Sequence, residues 1–584
     1  MQHRFAALLA FLVSVACSLG ATPVAVEPVS AAHGMVVAGH PQAAEAGVAV
    51  MRAGGNAIDA AVAVSLSLGV AEPQGSGMGG KLMLIYYDAA TRQTFAVDGL
   101  DAAGHSFDVP RGRTLTRDER RLGWTSVLVP GLPAGLWLAH QKWGVRPWAD
   151  DVAPAVKLAR DGFRVLPKTR DFFAEQEKKL RGGDREIAKW YLPGGQLPKA
   201  GTLLANGDLA RTMELFAAKG AEGFYRGPVA EAIAAGAKQG RGFITTDDLA
   251  RYQARITAPV AADVFGHHIE GAPPPTSGLA LYLAMLKTLE TQAWISGELR
   301  APANLHRVGK VWQVVQPLVS AQVADVTGGD IAVKKFLSAD SIDEIRRKAG
   351  VSSKVGQVLD LPFSRGIVRE GGAQPRPAAF EPDYDEEPAF ASTTHFVVVD
   401  AKGNVVSCTQ STSLHFGAGV IAPGTGVVMN DSLSNFSFTS ANSPNLVAPG
   451  KRARSTTSPS IVFREGRPVL AIGIPGAQRI PIAMMQVMLD VLAFQRPLAD
   501  AIGDTRLHLL NPESSADPNN VWEVEASFPE PDAKALRALG WTVNKMEKAG
   551  TGRHFGGFTA IAIGNDGTLT GFADPRRTNA AAGY

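Results

Sequence analysis

Two β-rich runs carry hydroxyl side chains in a pattern suited to acyl-transfer chemistry. Thr393 to Asp400 reads TTHFVVVD and Asn404 to Ser411 reads NVVSCTQS, with Ala401, Lys402 and Gly403 between them. A three-residue hairpin loop with glycine in its third, left-handed position is a favoured connection, so the runs are predicted to pair antiparallel. Counting back from Asp400 opposite Asn404 sets Thr393 opposite Ser411, and directly opposed residues hold their Cβ atoms about 4.5–5.5 Å apart. Two hydroxyls then meet at the open end of the hairpin, and a register slip of one residue would separate them. A threonine hydroxyl is a weak nucleophile without a base beside it. If Thr393 became a chain terminus, its own α-amine, with an ordinary pKa near 8, could take the hydroxyl proton. The stretch just before it, Gly371 to Ser392, holds four prolines and a cluster of acids without periodicity. Such a stretch is predicted to be exposed and extended, and so open to cutting. The plainer reading of the same residues is an exposed strand, since β-propensity alone places threonines at strand starts.

Other chemistry-bearing residues point elsewhere only weakly. GSGMGG, Gly75 to Gly80, has the spacing of a dinucleotide fingerprint, but that motif needs a strand before it and a helix after it. Here a helical pattern precedes and the strand-like Leu82 to Tyr87 follows, so the glycines are read as a tight backbone crossing. The twelve histidines contain no H-x-x-x-H pair, and His267-His268 alone is no ligand set. No metal and no cofactor is expected. Cys408 falls mid-strand and is read as a small buried apolar residue. His395 lies two residues beyond Thr393 and shares its strand face, with a structural hydrogen bond expected of it.

The elements that must position these residues can be placed. Apolar residues recur at three- and four-residue spacing from Ala43 to Met51 and from Ala57 to Val70, predicting two helices interrupted at Gly54-Gly55-Asn56. ITTDDL at Ile244 is a helix-capping signal. At 584 residues the chain is long enough for roughly three or four domains or one large enzyme core. It is 45% hydrophobic and 19% charged, with mean hydropathy +0.01. That composition excludes a mostly disordered chain and a polytopic membrane protein. With 58 basic and 55 acidic residues, net +3, there is no electrostatic case for nucleic acid or an anionic membrane as partner, and KRAR at Lys451 is read as a solvated loop. Gln2 to Arg4, the apolar run Phe5 to Val15 and the small residues before Ala21 form a secretory leader pattern, too short for a permanent anchor. Export to the periplasm or beyond is expected, with residues 1–20 removed. Cys17 and Cys408 are the only cysteines, so loss of the leader leaves no disulfide partner.

Across Gly34 to Gly583 the sequence resembles the gamma-glutamyltransferase family of N-terminal nucleophile (Ntn) hydrolases. The matching pieces fall in family order: HPQAAEAG at His40, GGNAIDAAVA at Gly54, SGMGG at Ser76, VPG at Val129, FYRGP at Phe224, ITTDDLARY at Ile244, PPPTSG at Pro273, TTHFVVVDAKGN at Thr393, PGTGVVMND at Pro423, SPSIV at Ser458 and IPGAQR at Ile474. The resemblance implies an α+β fold, a four-layer αββα sandwich built jointly by a large subunit of residues 21–392 and a small catalytic subunit of residues 393–584. It implies self-cleavage between Ser392 and Thr393, with Thr393 as nucleophile and Ser411 as the second hydroxyl. Gly476 and Ala477 match the Gly-Gly pair whose N–H groups form the oxyanion hole, and Ser455 and Thr456 match a Ser-Ser pair on the substrate carboxylate.

Further positions depart from the family pattern. Leu100, in Asp98-Gly99-Leu100-Asp101, replaces an arginine that grips the α-carboxylate of a γ-glutamyl group, a task suited to a bidentate guanidinium. Asn435 replaces the acid that receives the α-ammonium, and Ser413 replaces an asparagine. Lys81 brings a cation where the family has glycine, while Arg452, Arg454 and Arg479 are possible substitutes for the missing arginine. The expected activity is a self-cleaving amidase that passes an acyl group from Thr393 to water or an amine. Its small-molecule substrate is glutathione or another γ-glutamyl amide, or, as the alternative, the amide of a different acyl group. A non-catalytic homologue that keeps only the scaffold is the second alternative.

Overall fold

The computed structural model describes residues 24–290, 298–351, 392–438, 442–510, 521–546 and 551–584. The leader with Cys17, and the acidic Pro-rich segment up to residue 391, lie outside the described residues.

Alternation along the hairpin strands decides the layers. Val397, Val399 and Val405 pack with Met35, Val37, Ile85, Ile461 and Ile561 in one apolar cluster. Their neighbours Phe396, Val398, Val406 and Cys408 pack the other way, against the helices Pro41–Arg52 and Ala57–Ala71. Period-two burial on both faces is the mark of a strand enclosed from both sides. The first cluster therefore lies between two sheets, each of seven antiparallel strands. The first sheet runs in the order Ala580–Gly583, Met35–Ala38, Thr394–Val399, Val405–Ser411, Lys81–Asp88, Gln93–Gly99 and Arg255–Thr257. The second runs Val29–Ala31, Leu569–Ala573, Thr559–Ile563, Arg467–Gly473, Ser460–Arg464, His267–Gly271 and Val260–Val264. On its outer face Ile269, Val462, Leu470 and Ile472 pack against the helices Gly278–Leu289, Pro302–Gln322 and Arg479–Met488. Helices thus cover both outer faces, the αββα sandwich of an Ntn hydrolase.

Each sheet mixes strands from before and after residue 393. A cut there would leave the two pieces hydrogen-bonded in both sheets and sharing the core between them.

Local expectations hold closely. The helix Ala57–Ala71 is buried along its whole length and starts on a capping box between Asn56 and Asp59. Thr245 caps the helix Thr246–Arg251 through Asp248. The hairpin has the counted register: Thr394 faces Gln410, Val399 faces Val405, and Asp400 N donates to Asn404 O at 3.1 Å. Gly403 closes the turn at φ 81°. The Gly75–Gly80 segment is a backbone crossing, as read: a Cβ on Gly80 would stand 2.3 Å from the carbonyl oxygen of Ser411, a contact only glycine permits.

Candidate active site

The hairpin delivers Thr393 and Ser411 to one place. Thr393 Oγ1 lies 3.2 Å from Ser411 Oγ and donates to the carbonyl oxygen of Ser392, its own preceding residue. Ser411 Oγ donates to that same oxygen at 2.9 Å. Ser411 Oγ also accepts Ser413 N at 2.9 Å. The amide joining residues 392 and 393 is thereby held with a hydroxyl beside its carbonyl and a second hydroxyl polarising the same oxygen. Ser392 Oγ is fixed by the carbonyls of Gln74 and Gly75, at 2.5 and 2.8 Å. All three residues are buried, so these contacts act in a low-dielectric setting that strengthens them.

Behind the hydroxyls stands a group that sequence reading missed. Arg577 Nη1 donates to Thr393 O at 2.9 Å. Thr394 Oγ1 donates to Glu72 Oε2 at 2.6 Å, and Thr578 Oγ1 bridges Gly39 O and Glu72 Oε1 at 2.6 and 3.1 Å. Burial raises the pKa of Glu72, while Thr394, Arg577 and Thr578 oppose that rise. Burial likewise pulls Arg577 down to about 10, against the pull of Glu72. The strand end carrying Thr393 is thus clamped from both chain ends by groups with no motif of their own. His395 makes structural bonds, to Thr409 Oγ1 at 2.8 Å and Ser407 Oγ at 3.3 Å, and burial lowers its pKa to about 3. Cys408 is free and buried, and burial pushes its thiol pKa well up.

A second group gathers where the strand Arg467–Gly473 ends. Gly473 is pressed against the His395 ring, where a Cβ would come within 2.3 Å of Cε1, so the following loop leaves its sheet at the end where Thr393 starts. That loop holds Gly476 at φ 144° and Ala477 at φ 46°, just ahead of the helix Arg479–Met488. Ala477 stands in the left-handed region, where a methyl group is unfavourable. Thr456 Oγ1 donates to Ala477 O at 2.9 Å, joining the Ser455-Thr456 pair to the loop. Ser455 Oγ bonds Thr457. Asn445, also missed in the sequence, ties this group to the next: its Nδ2 donates to Asn435 O at 2.7 Å and its Oδ1 accepts Arg454 N at 3.2 Å.

The third group surrounds a buried lysine. Lys81 Nζ donates to Ser413 Oγ at 2.7 Å and to Ser432 Oγ at 3.0 Å, and stands 3.9 Å from Asp101 Oδ2. Ser413 and Ser432 hydroxyls are 2.8 Å apart, Asn435 Nδ2 donates to Ser413 Oγ at 3.0 Å, and Ser432 Oγ donates to Asp101 Oδ2 at 2.5 Å. Burial lowers the Lys81 pKa against the pull of Asp101 and Asp431. Burial also pushes Asp101 up to about 7. Ser413 adopts φ 80°, a conformation that asparagine tolerates better than serine. Leu100 does not join this polar cluster; its side chain belongs to the apolar layer between the sheets. None of the three candidate arginines replaces it. Arg452 pairs with Asp98 and donates to Gln253 O, Arg454 bonds the carbonyls of Ser320 and Val323, and Arg479 pairs with Glu523 at 2.6 Å.

The family model for gamma-glutamyltranspeptidase matches residues 43–584. The chain belongs to the gamma-glutamyltranspeptidase family. As a member it is an Ntn-type hydrolase or transferase. Over 560 residues it is 31% identical to a glutathione hydrolase proenzyme of Bacillus subtilis strain 168, covering 94% of this chain and 91% of that one. It is also 31% identical, over 558 residues, to an acylase ACY 1 proenzyme of Pseudomonas sp. strain V22, covering 94% and 93%. The crystal structure of a cephalosporin acylase from Bacillus halodurans superposes with TM-score 0.81 at 25% identity, covering 96% of this chain and 98% of that one. Relatives named for different activities therefore resemble this member of the gamma-glutamyltranspeptidase family equally well.

One buried Asp-His-Asp cluster, unanticipated from the sequence of this family member, lies outside the site. Asp59, His140 and Asp151 bring ligand-type atoms within 4.8 Å of one another. Asp59 accepts the N–H groups of Asn56 and Val145 at 2.8 and 3.0 Å, and Arg146 Nε donates to Asp151 at 2.9 Å. These donors give the cluster a structural use, fastening the start of Ala57–Ala71 to the loop at Val145.

Proposed function

We propose that Thr393 is the nucleophile of a self-cleaving amidase, and that the chain cuts itself between Ser392 and Thr393 into subunits of residues 21–392 and 393–584. The observation that carries this reading is the Thr393 hydroxyl bonded to the Ser392 carbonyl with Ser411 on the same oxygen. Attack of Oγ1 on that carbonyl carbon, with the hydroxyl proton passing to the amide nitrogen, breaks the C–N bond and leaves an ester. Water then hydrolyses the ester, releasing the Ser392 carboxylate and a free Thr393 α-amine. In the cut enzyme that amine accepts the hydroxyl proton as Oγ1 attacks a substrate amide, the leaving amine takes the proton, and the acyl group passes to water or another amine. The N–H groups of Gly476 and Ala477 serve as oxyanion donors, Ser411 orients the hydroxyl, and Ser455, Thr456, Ser413 and Asn435 line the acyl and carboxylate side. The leader pattern of residues 1–20 supports an exported enzyme. Among the described residues no helix is long and apolar enough to cross a membrane.

For the acyl donor, the relatives' names support a γ-glutamyl amide such as glutathione. Leu100, Asn435 and the Lys81 cluster favour the alternative, the amide of a different acyl group. The test is direct. Purified protein should mature to two fragments on a denaturing gel, with the smaller one beginning at Thr393 by mass spectrometry. Thr393→Ala should abolish both cutting and amide turnover. A wild-type backbone still intact after long incubation would sink the reading in favour of a non-catalytic homologue.

A further inference from the structure

The buried cluster of Asp59, His140 and Asp151 joins three helix ends far from Thr393. Asp59 lies in the first turn of Ala57–Ala71. His140 lies in the last turn of the helix Leu132–Trp143, and Asp151 in the first turn of the helix Trp148–Asp161. Ala57 N donates to Asp400 Oδ2 at 2.9 Å, so the cluster sits beneath the hairpin turn. That turn closes the far end of the strand beginning beside Thr393, roughly 20 Å away at about 3.3 Å per residue.

Each side chain is fixed from outside and keeps one atom for the centre. Asp59 accepts the N–H groups of Asn56 and Val145, which orient its carboxylate. Asp151 Oδ1 accepts Arg146 Nε at 2.9 Å, and Asp151 Oδ2 accepts no hydrogen bond among the described residues. The His140 ring meets Trp148 edge to face, with centroids 5.0 Å apart. Gly144 gives that ring its room, since a Cβ there would stand 2.6 Å from His140 Cδ2. His140 is only 6% exposed, yet neither ring nitrogen makes a hydrogen bond among the described residues. Donors that hold a carboxylate from behind are what orients a metal ligand.

The distances fit a shared cation better than an ion pair. His140 Nε2 lies 3.5 Å from Asp59 Oδ1 and 3.3 Å from Asp151 Oδ2, and all three atoms fall within 4.8 Å of one another. An imidazolium bonded to a carboxylate would close to about 2.7–2.9 Å, and its single Nε2 proton serves only one of the two. A cation about 2.0–2.1 Å from each donor in a tetrahedral arrangement holds the donors roughly 3.3–3.4 Å apart. Two carboxylate oxygens and an imidazole nitrogen suit zinc, whereas calcium and magnesium take shells of oxygen ligands. The adjoining Val145 is 60% exposed, which gives an ion its way in.

We infer that Asp59, His140 and Asp151 form a structural Zn2+ site, completed by water, that pins three helix ends beneath the hairpin turn. The inference does not depend on the Thr393 reading.

Full-length protein purified without a polyhistidine tag should hold about one Zn2+ per chain by elemental analysis. Stripping it with a chelator should lower the melting temperature by about 3 °C or more. Adding back Zn2+, and neither Mg2+ nor Ca2+, should restore it. His140→Gln and Asp151→Asn should each weaken Zn2+ binding by at least about a hundredfold and remove the response of the melting temperature to Zn2+. The partly exposed His268, 2.7 Å from Asp263 and 3.3 Å from Glu270, is the control for zinc held at the surface, and His268→Ala should leave the metal count unchanged. Zinc kept at full count in His140→Gln overturns the assignment. So does a wild type that holds none and whose melting temperature ignores added Zn2+. Should His140→Gln and Asp151→Asn fail to fold, the metal counts of the wild type and His268→Ala and the wild-type melts decide alone.

Discussion

Ser411 stands between two groups that obey different constraints, Thr393 across the hairpin and Lys81 on the neighbouring strand. At the Thr393 end, the partners are set by backbone: the hairpin register aligns the hydroxyls, and the atom they act on is a main-chain carbonyl. At the Lys81 end, the contacts run between side chains, Ser413, Ser432, Asn435 and Asp101. A hairpin register cannot drift without turning every residue of the strand to the wrong face, whereas side chains on a fixed backbone can be exchanged singly. Under the proposed function, bond breaking would be the rigid part of this site and acyl recognition the adjustable part. A family can keep one and change the other.

The contrast can be broken with neighbouring serines. Ser411→Ala removes the hydroxyl that polarises the Ser392 carbonyl and accepts the Ser413 N–H. A hydrogen bond to the oxygen that gains charge in the transition state is worth about 1.5–3 kcal/mol, so self-cleavage followed by gel densitometry should slow roughly ten- to a hundredfold. Ser411→Thr should restore it. Ser413→Ala, two residues on, should leave the cutting rate within about threefold and change only the ranking of acyl substrates. If both alanine variants slow the cut alike, the two ends are not separable.

Legibility in the sequence follows the same division. Alternation and a Gly-closed turn sufficed to place Thr393 against Ser411, since both are local rules, and the capping box at Thr245 and the helix around Val64 were equally readable. Lys81 was visible as an odd cation, but its partners lie 332 and 351 residues away in the chain, and no local pattern links them. Glu72, Asn445 and Arg577 were missed for that reason. Leu100 was expected in the substrate pocket, and the structure assigns its side chain to the inter-sheet apolar layer, which a leucine at a strand end satisfies more cheaply than a polar cluster does.

The identity of the base separates the two kinds of group further. His395 shares the strand with Thr393, yet burial holds its pKa near 3, so it stays neutral across the working range. If the freed α-amine is the base, kcat/KM should rise with pH through about 7.7–8.0, and His395→Gln should leave that midpoint in place. Stability should respond instead. The unfolded histidine takes a proton below about 6.5 and the folded one only near 3, so the unfolded state binds more protons in that window. Wild-type stability then falls as pH drops from 6.5 towards 3, by up to ~1.4 kcal/mol per pH unit from this one ring. Thermal melts at pH 7.5 and pH 5 should show a gap between wild type and His395→Gln that narrows in acid. A variant that moved the activity midpoint would return His395 to the catalytic side.

The smallest expected effect concerns backbone strain in the loop that holds Gly476 and Ala477. Ala477 at φ 46° occupies a region where its methyl group is crowded, and its carbonyl is held there by Thr456 Oγ1 at 2.9 Å. Glycine relieves the crowding and gains freedom in the unfolded chain, two effects of opposite sign. At a position with positive φ the first outweighs the second, so Ala477→Gly should stabilise the protein by about 0.5–1 kcal/mol. Because the N–H is kept, turnover should change by less than about threefold. A melting temperature that falls in Ala477→Gly would mean that the loop relaxes out of the left-handed region in solution, and the oxyanion geometry would then have to be assembled when substrate binds.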